Sequence, residues 1–277
     1  MARLIRVDAE LVRRGLASSR RHAQELVESG LVRLSGETVR KSARQMDPAQ
    51  PLLVVEGERD EYVSRGACKL AGALDALGEA APAVAGRRCL DAGASTGGFT
   101  DVLLRRGAGH VVAVDVGYGQ IAWRLREDPR VTVLERTNVR TLDPAAVAPA
   151  PGLVVGDLSF ISLTLVIPSL VRAAAAEADF LLLVKPQFEV GRERLGAGGV
   201  VRDTRLHAET VMAVSACARS HGLDVLAAIA SPLPGPAGNV EYFLHMRAGS
   251  GQEPDGGLES AVRSAIATGP AGKEARK

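Results

Sequence analysis

Cysteine and histidine are too few and too scattered to build a metal site or a disulfide framework. The three cysteines, Cys68, Cys89 and Cys217, are odd in number and widely spaced, and the five histidines show no metal-ligand spacing. We therefore expect no bound metal. Unpaired cysteines also favour a reducing compartment, so the predicted location is the cytoplasm.

Long hydrophobic runs are missing as well. The longest charge-free stretches, residues 158–171 and 225–240, are too short or too interrupted by proline to cross a bilayer of about 30 Å. The first ten residues carry four charges and no apolar core, so no signal peptide is predicted. With 46% hydrophobic residues and a net charge of +2, the 277-residue chain is expected to be globular, with one large and one small domain and no membrane partner.

Lysine is rare, although arginine is abundant. The chain has 29 arginines and five lysines, and between Lys41 and Lys273 the only lysines are Lys69 and Lys185. Arginine stays charged in proteins, whereas a buried lysine can give up its proton. Lys69 and Lys185 are therefore candidates for chemistry, and chance retention of two surface lysines is the alternative.

The first 60 residues have the pattern of a small, basic α+β binding module. Residues 1–46 hold ten basic side chains against five acidic ones, residues 8–31 show two short helical stripes, and a hairpin is predicted around Ser35 and Gly36. This basic surface predicts contact with nucleic-acid phosphates, with a merely solvated face as the alternative. The candidate RNA-binding residues are Arg3, Arg6, Arg13, Arg14, Arg20 and Arg21.

From about residue 86 onward, short apolar runs alternate with helical stretches. This alternation predicts an α/β domain with a parallel sheet covered on both faces. The last two runs are joined by the Pro- and Gly-rich residues 231–239, too short for a helical crossover, so they should pair antiparallel. The predicted strands are Arg88–Ala94, Val111–Val116, Val131–Glu135, Leu153–Asp157, Phe180–Lys185, Val225–Ala230 and Val240–Met246.

The turn after the first of these strands is typical of a nucleoside site. A dinucleotide fingerprint needs glycine where Ser95 stands, which disfavours an NAD-dependent oxidoreductase. Asp91 would repel a phosphate and suits a cationic amino-acid group, while Asp115 ends the next strand, where ribose hydroxyls bind. Together these features predict S-adenosylmethionine, with an empty structural turn as the alternative. The candidate cofactor residues are Asp91, Gly93, Ser95, Thr96, Gly97, Gly98, Phe99, Asp115 and Asp157.

Lys185 and Asp157 end two neighbouring strands, where open α/β sheets bind ligands. The segment Asp157-Leu-Ser-Phe160 lacks the Pro-Pro-aromatic motif of enzymes that methylate amino groups, which favours an oxygen target. Residues 86–247 resemble the FtsJ-type ribose 2′-O-methyltransferases, which have a Lys-Asp-Lys-Glu tetrad. The resemblance implies a Rossmann-like fold and the catalytic residues Lys69, Asp157, Lys185 and Glu241.

The N-terminal part is similar to the S-four-type RNA-binding domain, with Ser35 where asparagine is usual. The combination closely resembles the TlyA family, also called hemolysin-like, which implies methylation of cytidine ribose in ribosomal RNA and ribosomal RNA or ribosomal subunits as partners. The resemblance covers about residues 3–247. It implies an RNA-binding domain over 1–58, a linker over 59–64 and a methyltransferase domain over 65–247. Residues 248–277 have no counterpart in the family, and their Gly, Ala and Ser content predicts a largely disordered tail.

The chemistry of the reaction assigns roles within the tetrad, because a ribose 2′-hydroxyl is a poor nucleophile that must be aligned and relieved of its proton. Lys185 would orient or deprotonate the 2′-hydroxyl, Asp157 and Glu241 would position the lysines, and Lys69 would stabilise negative charge on the oxygen. The alternatives are a structural ion-pair network, a non-catalytic RNA- or ribosome-binding protein and a membrane-active hemolysin. Tyr62 and Val63 are hypothesised to relay RNA binding to the catalytic domain. The modified cytidine, the ribosomal subunit and the oligomeric state stay open.

Overall fold

The computed structural model describes residues 4–17, 19–28, 30–55, 62–235, 237–250 and 257–270. The chain divides into two compact units, residues 1–61 and 62–277. Residues 59–61 of the predicted linker 59–64 lie outside the described residues, so the boundaries of the linker stay a prediction.

The first unit is a small α+β fold. Its two short helices and the hairpin turn at Ser35 and Gly36 were predicted, and both turn residues have positive φ, 51° and 88°. Strand β1 pairs antiparallel with β4, and the other three strands form a sheet in the order β3-β2-β5. The elements are β1 (Ile5–Arg6), α1 (Val7–Arg13), α2 (Arg20–Glu28), β2 (Val32–Leu34), β3 (Glu37–Thr38), β4 (Gln45–Met46) and β5 (Leu52–Val54).

The second unit is built on a seven-stranded sheet in the order β11-β12-β10-β9-β6-β7-β8. Strand β12 runs antiparallel to both neighbours and the pairs from β10 to β8 are parallel, as predicted. Its helices and strands are α3 (Ala67–Leu77), β6 (Arg88–Ala92), α4 (Gly98–Arg105), β7 (His110–Val114), α5 (Trp123–Arg126), β8 (Val131–Leu134), β9 (Leu153–Gly156), α6 (Ile167–Ala173), β10 (Asp179–Val184), α7 (Pro186–Glu189), α8 (Thr204–Ser220), β11 (Leu223–Ala230), β12 (Tyr242–Ala248) and α9 (Leu258–Thr268).

The central strands are buried on both faces, which explains their nearly continuous apolar sequences. Within β6, Leu90 packs into the core on one face of the sheet while Cys89 packs into the core on the other. Strand β10 is buried along its whole length. Because successive side chains point to opposite faces, the run 180–184 supplies both cores at once.

The prediction of a largely disordered tail after Arg247 is wrong for the part of it that the structure describes. Strand β12 continues to Ala248, and residues 258–268 form helix α9. The Gly, Ala and Ser content suggested disorder, but α9 places four apolar side chains on one face, where they join the core against β11 and α8. These side chains are Leu258, Val262, Ala265 and Ile266.

Asp179 anchors the edge of the sheet opposite the strands' carboxyl ends. Its buried carboxylate accepts hydrogen bonds from Arg87 Nη1 at 2.5 Å and Arg247 Nε at 2.7 Å. Burial raises the pKa of Asp179, but hydrogen bonds from His245, Arg87 and Arg247 outweigh it and hold the pKa well below its ordinary value. The ionised carboxylate is therefore a stabilising feature at neutral pH.

We expect Asp179→Asn to lower the free energy of unfolding by about 2–4 kcal/mol at pH 7, because both arginines lose their charged partner. Stability from a depressed pKa is lost as pH falls below the unfolded value of about 3.9, so the difference should shrink there. Urea unfolding at pH 7 and pH 3 measures this difference in the free energy of unfolding. Asp75→Asn is the control, because Asp75 forms an exposed pair with Arg106, and it should change stability by less than about 0.5 kcal/mol.

Candidate active site

The turn between β6 and α4 brings the backbone of residues 93–98 to the carboxyl edge of the sheet. Gly93 and Gly97 have positive φ, 85° and 94°. A Cβ on Gly97 would lie 2.3 Å from Leu125, and a Cβ on Gly98 would lie 2.9 Å from the backbone nitrogen of Ala67. Gly98 thus allows the first residue of α3 to pack against the turn, so one glycine shapes the turn while its neighbour positions the helix that carries Lys69.

Two carboxylates flank this turn. Asp91 is fully buried; its Oδ2 accepts a hydrogen bond from Thr100 Oγ1 at 2.7 Å, and its Oδ1 has no hydrogen-bond partner within the described ranges. Burial raises the pKa of Asp91 to about 7. Asp115 accepts backbone N–H groups from Ser95 at 2.8 Å and Gly117 at 2.6 Å. Asp115 therefore holds the turn and the following loop together.

A cavity opens between the turn and the end of β7. Its walls combine apolar side chains, which suit a flat ring, with carboxylates, which suit hydroxyl groups. Ser95 and Thr96 are exposed beside it, and Ser95 has a positive φ of 48°. The lining residues are Ala94, Ser95, Ala113, Asp115, Gly117, Gln120, Ile121, Val133 and Glu135.

The four tetrad residues lie together at the same edge. Lys69 Nζ lies 2.7 Å from Glu241 Oε2 and 3.3 Å from Asp157 Oδ2. Lys185 Nζ lies 2.5 Å from the other oxygen of Asp157. Asp157 therefore bridges two ammonium groups, one from the end of β10 and one from α3, which is separated from that strand by more than 100 residues of chain.

Burial and charge act in opposite directions on the tetrad. Lys69, Lys185 and Glu241 are all buried, while Asp157 is partly exposed. Burial lowers the pKa of Lys69, but Asp157 and Glu241 outweigh that effect, so the pKa of Lys69 is raised. Lys69 is consequently a permanent cation at neutral pH.

Close packing positions Lys69 and Glu241 relative to each other. Gly72 lies one turn after Lys69 in α3, and a Cβ there would lie 2.6 Å from Pro232 in the loop between β11 and β12. A Cβ on Gly235 in the same loop would lie 2.8 Å from Glu241 Oε1. These two glycines allow the helix and the loop to approach closely enough for the Lys69–Glu241 ion pair.

Sequence reasoning missed several residues that contact the tetrad. Ser159 Oγ accepts a hydrogen bond from Lys185 Nζ at 2.9 Å, and Gln187 Nε2 donates to Glu241 Oε1 at 3.2 Å. Both stand in segments that the sequence had marked, two residues after Asp157 and Lys185 respectively. The available signal was that each lies close in sequence to a tetrad residue, but the hydrogen-bond partner of each side chain depends on the fold.

Asp101 in α4 was also missed. It accepts the Val63 backbone N–H at 2.9 Å and pairs with Arg105 at 3.0 Å and Arg124 at 2.7 Å, while the Arg105 guanidinium stacks over the Tyr62 ring. The start of the second unit is thus tied to α4, which directly follows the glycine turn. The relay hypothesis for Tyr62 and Val63 stays a prediction.

The side chain of Phe99, one of the predicted cofactor residues, lies in the core. Its ring is buried and stacks on Phe243, with centroids 6.1 Å apart, so the side chain belongs to the core. Phe99 stands in the first turn of α4, and its ring lies on the buried face of that helix. Only its backbone is left to face a ligand.

The predicted RNA-binding arginines are more heavily paired than the sequence suggested. Arg6 and Arg20 pair with the buried Asp8, while Arg13 and Arg14 pair with the buried Glu10. Hydrogen bonds from Arg13 and Arg14 outweigh burial and lower the pKa of Glu10 to about 2. Arg3 and the Arg21 side chain lie outside the part of the chain that is described.

Arg14 has a structural role in this unit. It also donates to the carbonyl oxygens of Pro48 at 2.6 Å and Gln50 at 3.1 Å, which ties α1 to the loop before β5. Arg6, Arg13 and Arg20 remain substantially exposed, with 42%, 65% and 62% of each side chain accessible. These three, rather than Arg14, keep donors facing solvent.

Three features together define a Rossmann-like methyltransferase. They are a parallel sheet whose last strand in sequence, β12, is antiparallel, a glycine turn after the first strand of the sheet, and a Lys-Asp-Lys-Glu cluster. Residues 62–248 match the FtsJ-like methyltransferase family, and residues 5–49 match the S4 domain, the S-four-type domain named above. The chain belongs to the FtsJ-like methyltransferases and, within them, to the TlyA family.

Individual relatives span nearly the whole chain. A Mycobacterium tuberculosis protein named 16S/23S rRNA (cytidine-2′-O)-methyltransferase TlyA is 58% identical over 98% of this chain and 100% of its own length. A Brachyspira hyodysenteriae protein named Hemolysin A is 34% identical over 87% and 99%. A solved structure described as a hemolysin from Streptococcus thermophilus has a TM-score of 0.72 and 36% identity, covering 100% of this chain and 98% of that one. In the described portion of this chain, no helix has the length and apolarity needed to span a membrane.

Proposed function

We propose that this enzyme methylates the ribose 2′-oxygen of a cytidine in ribosomal RNA, using S-adenosylmethionine. The observation that carries the proposal is the tetrad, in which Asp157 joins two buried lysines beside the glycine turn. The substrate in the name of the M. tuberculosis relative supports the choice of cytidine and ribosomal RNA. Because the proposed substrate is ribosomal RNA, we infer that the enzyme acts in the cytoplasm.

The residues beside the glycine turn fit S-adenosylmethionine. Asp91 offers an unpaired buried oxygen to a cationic group, and Asp115 has remaining lone pairs for ribose hydroxyls. Ile121 and Val133 provide apolar walls for an adenine ring. When bound, this cofactor supplies an electrophilic methyl group.

The two lysines divide the work on the 2′-hydroxyl. Since the pKa of Lys69 is raised, that lysine keeps its proton and stabilises negative charge on the attacking oxygen. Lys185 directs Nζ toward Asp157 and Ser159, which leaves one position on the nitrogen to hold the 2′-oxygen or to accept its proton. General base assistance of this kind contributes about 10²–10⁴-fold to the rate.

Transfer of labelled methyl from S-adenosylmethionine to purified ribosomal subunits tests the proposal. A 2′-O-methyl group blocks alkaline cleavage of the adjacent phosphodiester bond. The label should therefore appear in one alkali-resistant dinucleotide from one or both subunits. Label in a mononucleotide would show base methylation and contradict the proposal, as would the absence of transfer to RNA from either subunit when the cofactor is bound.

Cofactor binding should depend on pH. The pKa of Asp91 is about 7, and a bound cation favours its ionised form, so binding releases a proton below pH 7. We expect affinity for S-adenosylmethionine to rise about 5- to 10-fold from pH 6.0 to pH 7.5, as measured by titration calorimetry. Asp91→Asn should bind more weakly and lose this dependence. Equal wild-type affinity at both pH values would contradict the role of Asp91.

RNA binding should depend steeply on salt. If the exposed arginines and their neighbours contact about five phosphates, the log–log slope of affinity against salt should have a magnitude of about 3–5. Fluorescence anisotropy with an rRNA fragment measures the slope. Arg13→Gln should reduce its magnitude by about 1, because Arg13 is 65% exposed. A wild-type slope near zero would show that this basic surface is only solvated.

A further inference from the structure

The segments that follow β9 and β10 lie side by side and carry half of the tetrad. We call them the Asp157 loop, residues 157–163, and the Lys185 turn, residues 185–189. Lys185 Nζ contacts both Asp157 and Ser159 in the loop. Farther along, the rings of Phe160 and Phe188 approach with centroids 5.1 Å apart. The position of Lys185 relative to its partners thus depends on how these two segments are held together.

Glu189 closes the far end of this pair of segments. Its Oε2 accepts a hydrogen bond from Ser162 Oγ at 2.5 Å, and its Oε1 accepts one from the Leu163 backbone N–H at 2.8 Å. The Ser162 oxygen in turn accepts the Thr164 N–H at 3.1 Å, which begins the short 3₁₀ helix Leu163–Leu165. Glu189 therefore fastens the Lys185 turn to the residues where the Asp157 loop ends.

Glu189 is partly buried, and burial disfavours the charged form of its carboxyl group. Burial raises the pKa of the Glu189 carboxyl, and the hydrogen bonds from Ser162 and Leu163 oppose this effect. The single hydroxyl proton of Ser162 goes to Glu189, because Thr164 can donate its own hydroxyl to the Ser162 oxygen at 2.7 Å. Both Glu189 oxygens are thus committed to the loop, and neither contacts a tetrad residue.

The Asp157 loop contains a backbone conformation that needs restraint. Phe160 has φ +64°, a left-handed conformation that costs a residue other than glycine about 1–3 kcal/mol. Phe160 as a residue is 90% exposed, so burial of the side chain provides little compensation. The loop is anchored at its start by the hydrogen bond from the Asp157 N–H to the Ala92 oxygen at 3.2 Å, and at its end by Glu189.

We propose that Glu189 is a positioning residue for methyl transfer, which holds the Asp157 loop so that Asp157 and Ser159 face Lys185 Nζ. The inference rests on the proposed function, because it assigns Glu189 to the same reaction. Glu189 acts only through the loop. A misplacement of about 1 Å in a reacting group can cost about 100-fold in rate, so loss of this restraint should be visible in kcat.

The first test compares Glu189→Ala with Glu189→Gln in methyl transfer to ribosomal subunits. We expect Glu189→Ala to lower kcat by about 10- to 100-fold and to leave the dissociation constant of S-adenosylmethionine within about twofold. Glu189→Gln should stay within about threefold of wild type. Its amide oxygen accepts the Leu163 N–H, and its NH2 group can donate to Ser162 Oγ once the Ser162 hydroxyl donates to Thr164 Oγ1 instead.

The second test observes the lysine directly. With only five lysines, the chain labelled with ¹³C at lysine Cε should give five resolvable NMR signals, assigned by Lys185→Arg and Lys69→Arg. In Glu189→Ala we expect the Lys185 signal to shift or broaden, while the Lys69 signal stays in place because Glu241 still holds that side chain. This readout does not require turnover.

The outcomes separate the possibilities. Unchanged kcat in Glu189→Ala, or an unchanged Lys185 signal, overturns the inference. Parallel loss of cofactor binding and of thermal stability in Glu189→Ala would reveal a general structural role and overturn it as well, and so would a Glu189→Gln variant as slow as the alanine variant. If wild type transfers no methyl to any RNA, the proposed function fails, and the Lys185 signal still decides whether Glu189 positions that lysine.

Discussion

Lys185→Ala should lower kcat for methyl transfer by about 10²–10⁴-fold. Lys185 is buried at the end of β10, and its Nζ contacts both Asp157 and Ser159. The companion lysine cannot replace it, because Asp157 and Glu241 keep Lys69 protonated. Under the proposed function, loss of Lys185 therefore removes the group that orients the 2′-hydroxyl or accepts its proton.

Single-turnover transfer to ribosomal subunits measures this effect, and calorimetry with S-adenosylmethionine provides the control. Cofactor affinity should stay within about threefold of wild type, since Lys185 Nζ contacts Asp157 and Ser159 rather than Asp91, Asp115 or the glycine turn. An alanine variant with more than a tenth of wild-type kcat would contradict the assignment.

Lys185→Arg separates the two roles left open for this lysine. Arginine preserves the positive charge and the hydrogen-bond donors, but it does not give up its proton in proteins. If Lys185 removes the hydroxyl proton, arginine cannot replace it, and we expect the arginine variant to be as slow as the alanine variant. Recovery of activity with arginine would instead show that Lys185 only orients the hydroxyl.

Lys69→Met should lower the free energy of unfolding by about 3–5 kcal/mol and should also abolish most methyl transfer. Glu241 is 1% exposed and lies 2.7 Å from Lys69 Nζ. Without Lys69, its carboxylate would remain buried with the Gln187 amide as its hydrogen-bond donor. A buried charge that has lost its ionic partner is the source of the large expected cost.

Adding Glu241→Gln to Lys69→Met should restore most of the stability without restoring activity. The double variant replaces a buried ion pair with neutral groups of similar volume, which is often nearly neutral for folding. Urea unfolding and methyl transfer, measured on the same preparations, give the two quantities. Arg106→Met is the control, since its pair with Asp75 is exposed and should contribute less than about 0.5 kcal/mol. Additive losses in the double variant would show that the two residues are not energetically coupled.

Much of the fold followed from local pattern. The alternation of apolar strands and helical stretches predicted the order of the elements and the parallel pairing, and the short loop 231–239 predicted the antiparallel final strand. The prediction for the described part of the tail was wrong, because it rested on the average composition of residues 248–277. The four apolar positions of α9 become informative only when β11 and α8 are there to receive them.

The site divides in a similar way. Asp91, Asp115, Asp157 and Lys185 could be selected from sequence because each lies at or near the carboxyl end of a predicted strand, and such ends converge at one edge of a parallel sheet. Lys69 stood out by its rarity and was assigned to the tetrad by the resemblance. No local rule places a lysine in a helix before the sheet next to Glu241, more than 170 residues later.

The amino-acid sequence, read without coordinates, was sufficient for the class of fold and for selecting the edge of the sheet and the lysine and carboxylate side chains that are proposed to act there. These properties depend on periodicity and residue type, which are local. The tertiary structure alone decided which groups meet: Asp157 bridging two lysines, Ser159 beside Lys185, Glu189 fastening the Asp157 loop, and the buried acids of α1 pairing with nearby arginines. Such contacts depend on packing between distant segments, where differences of about 1 Å determine whether a hydrogen bond forms.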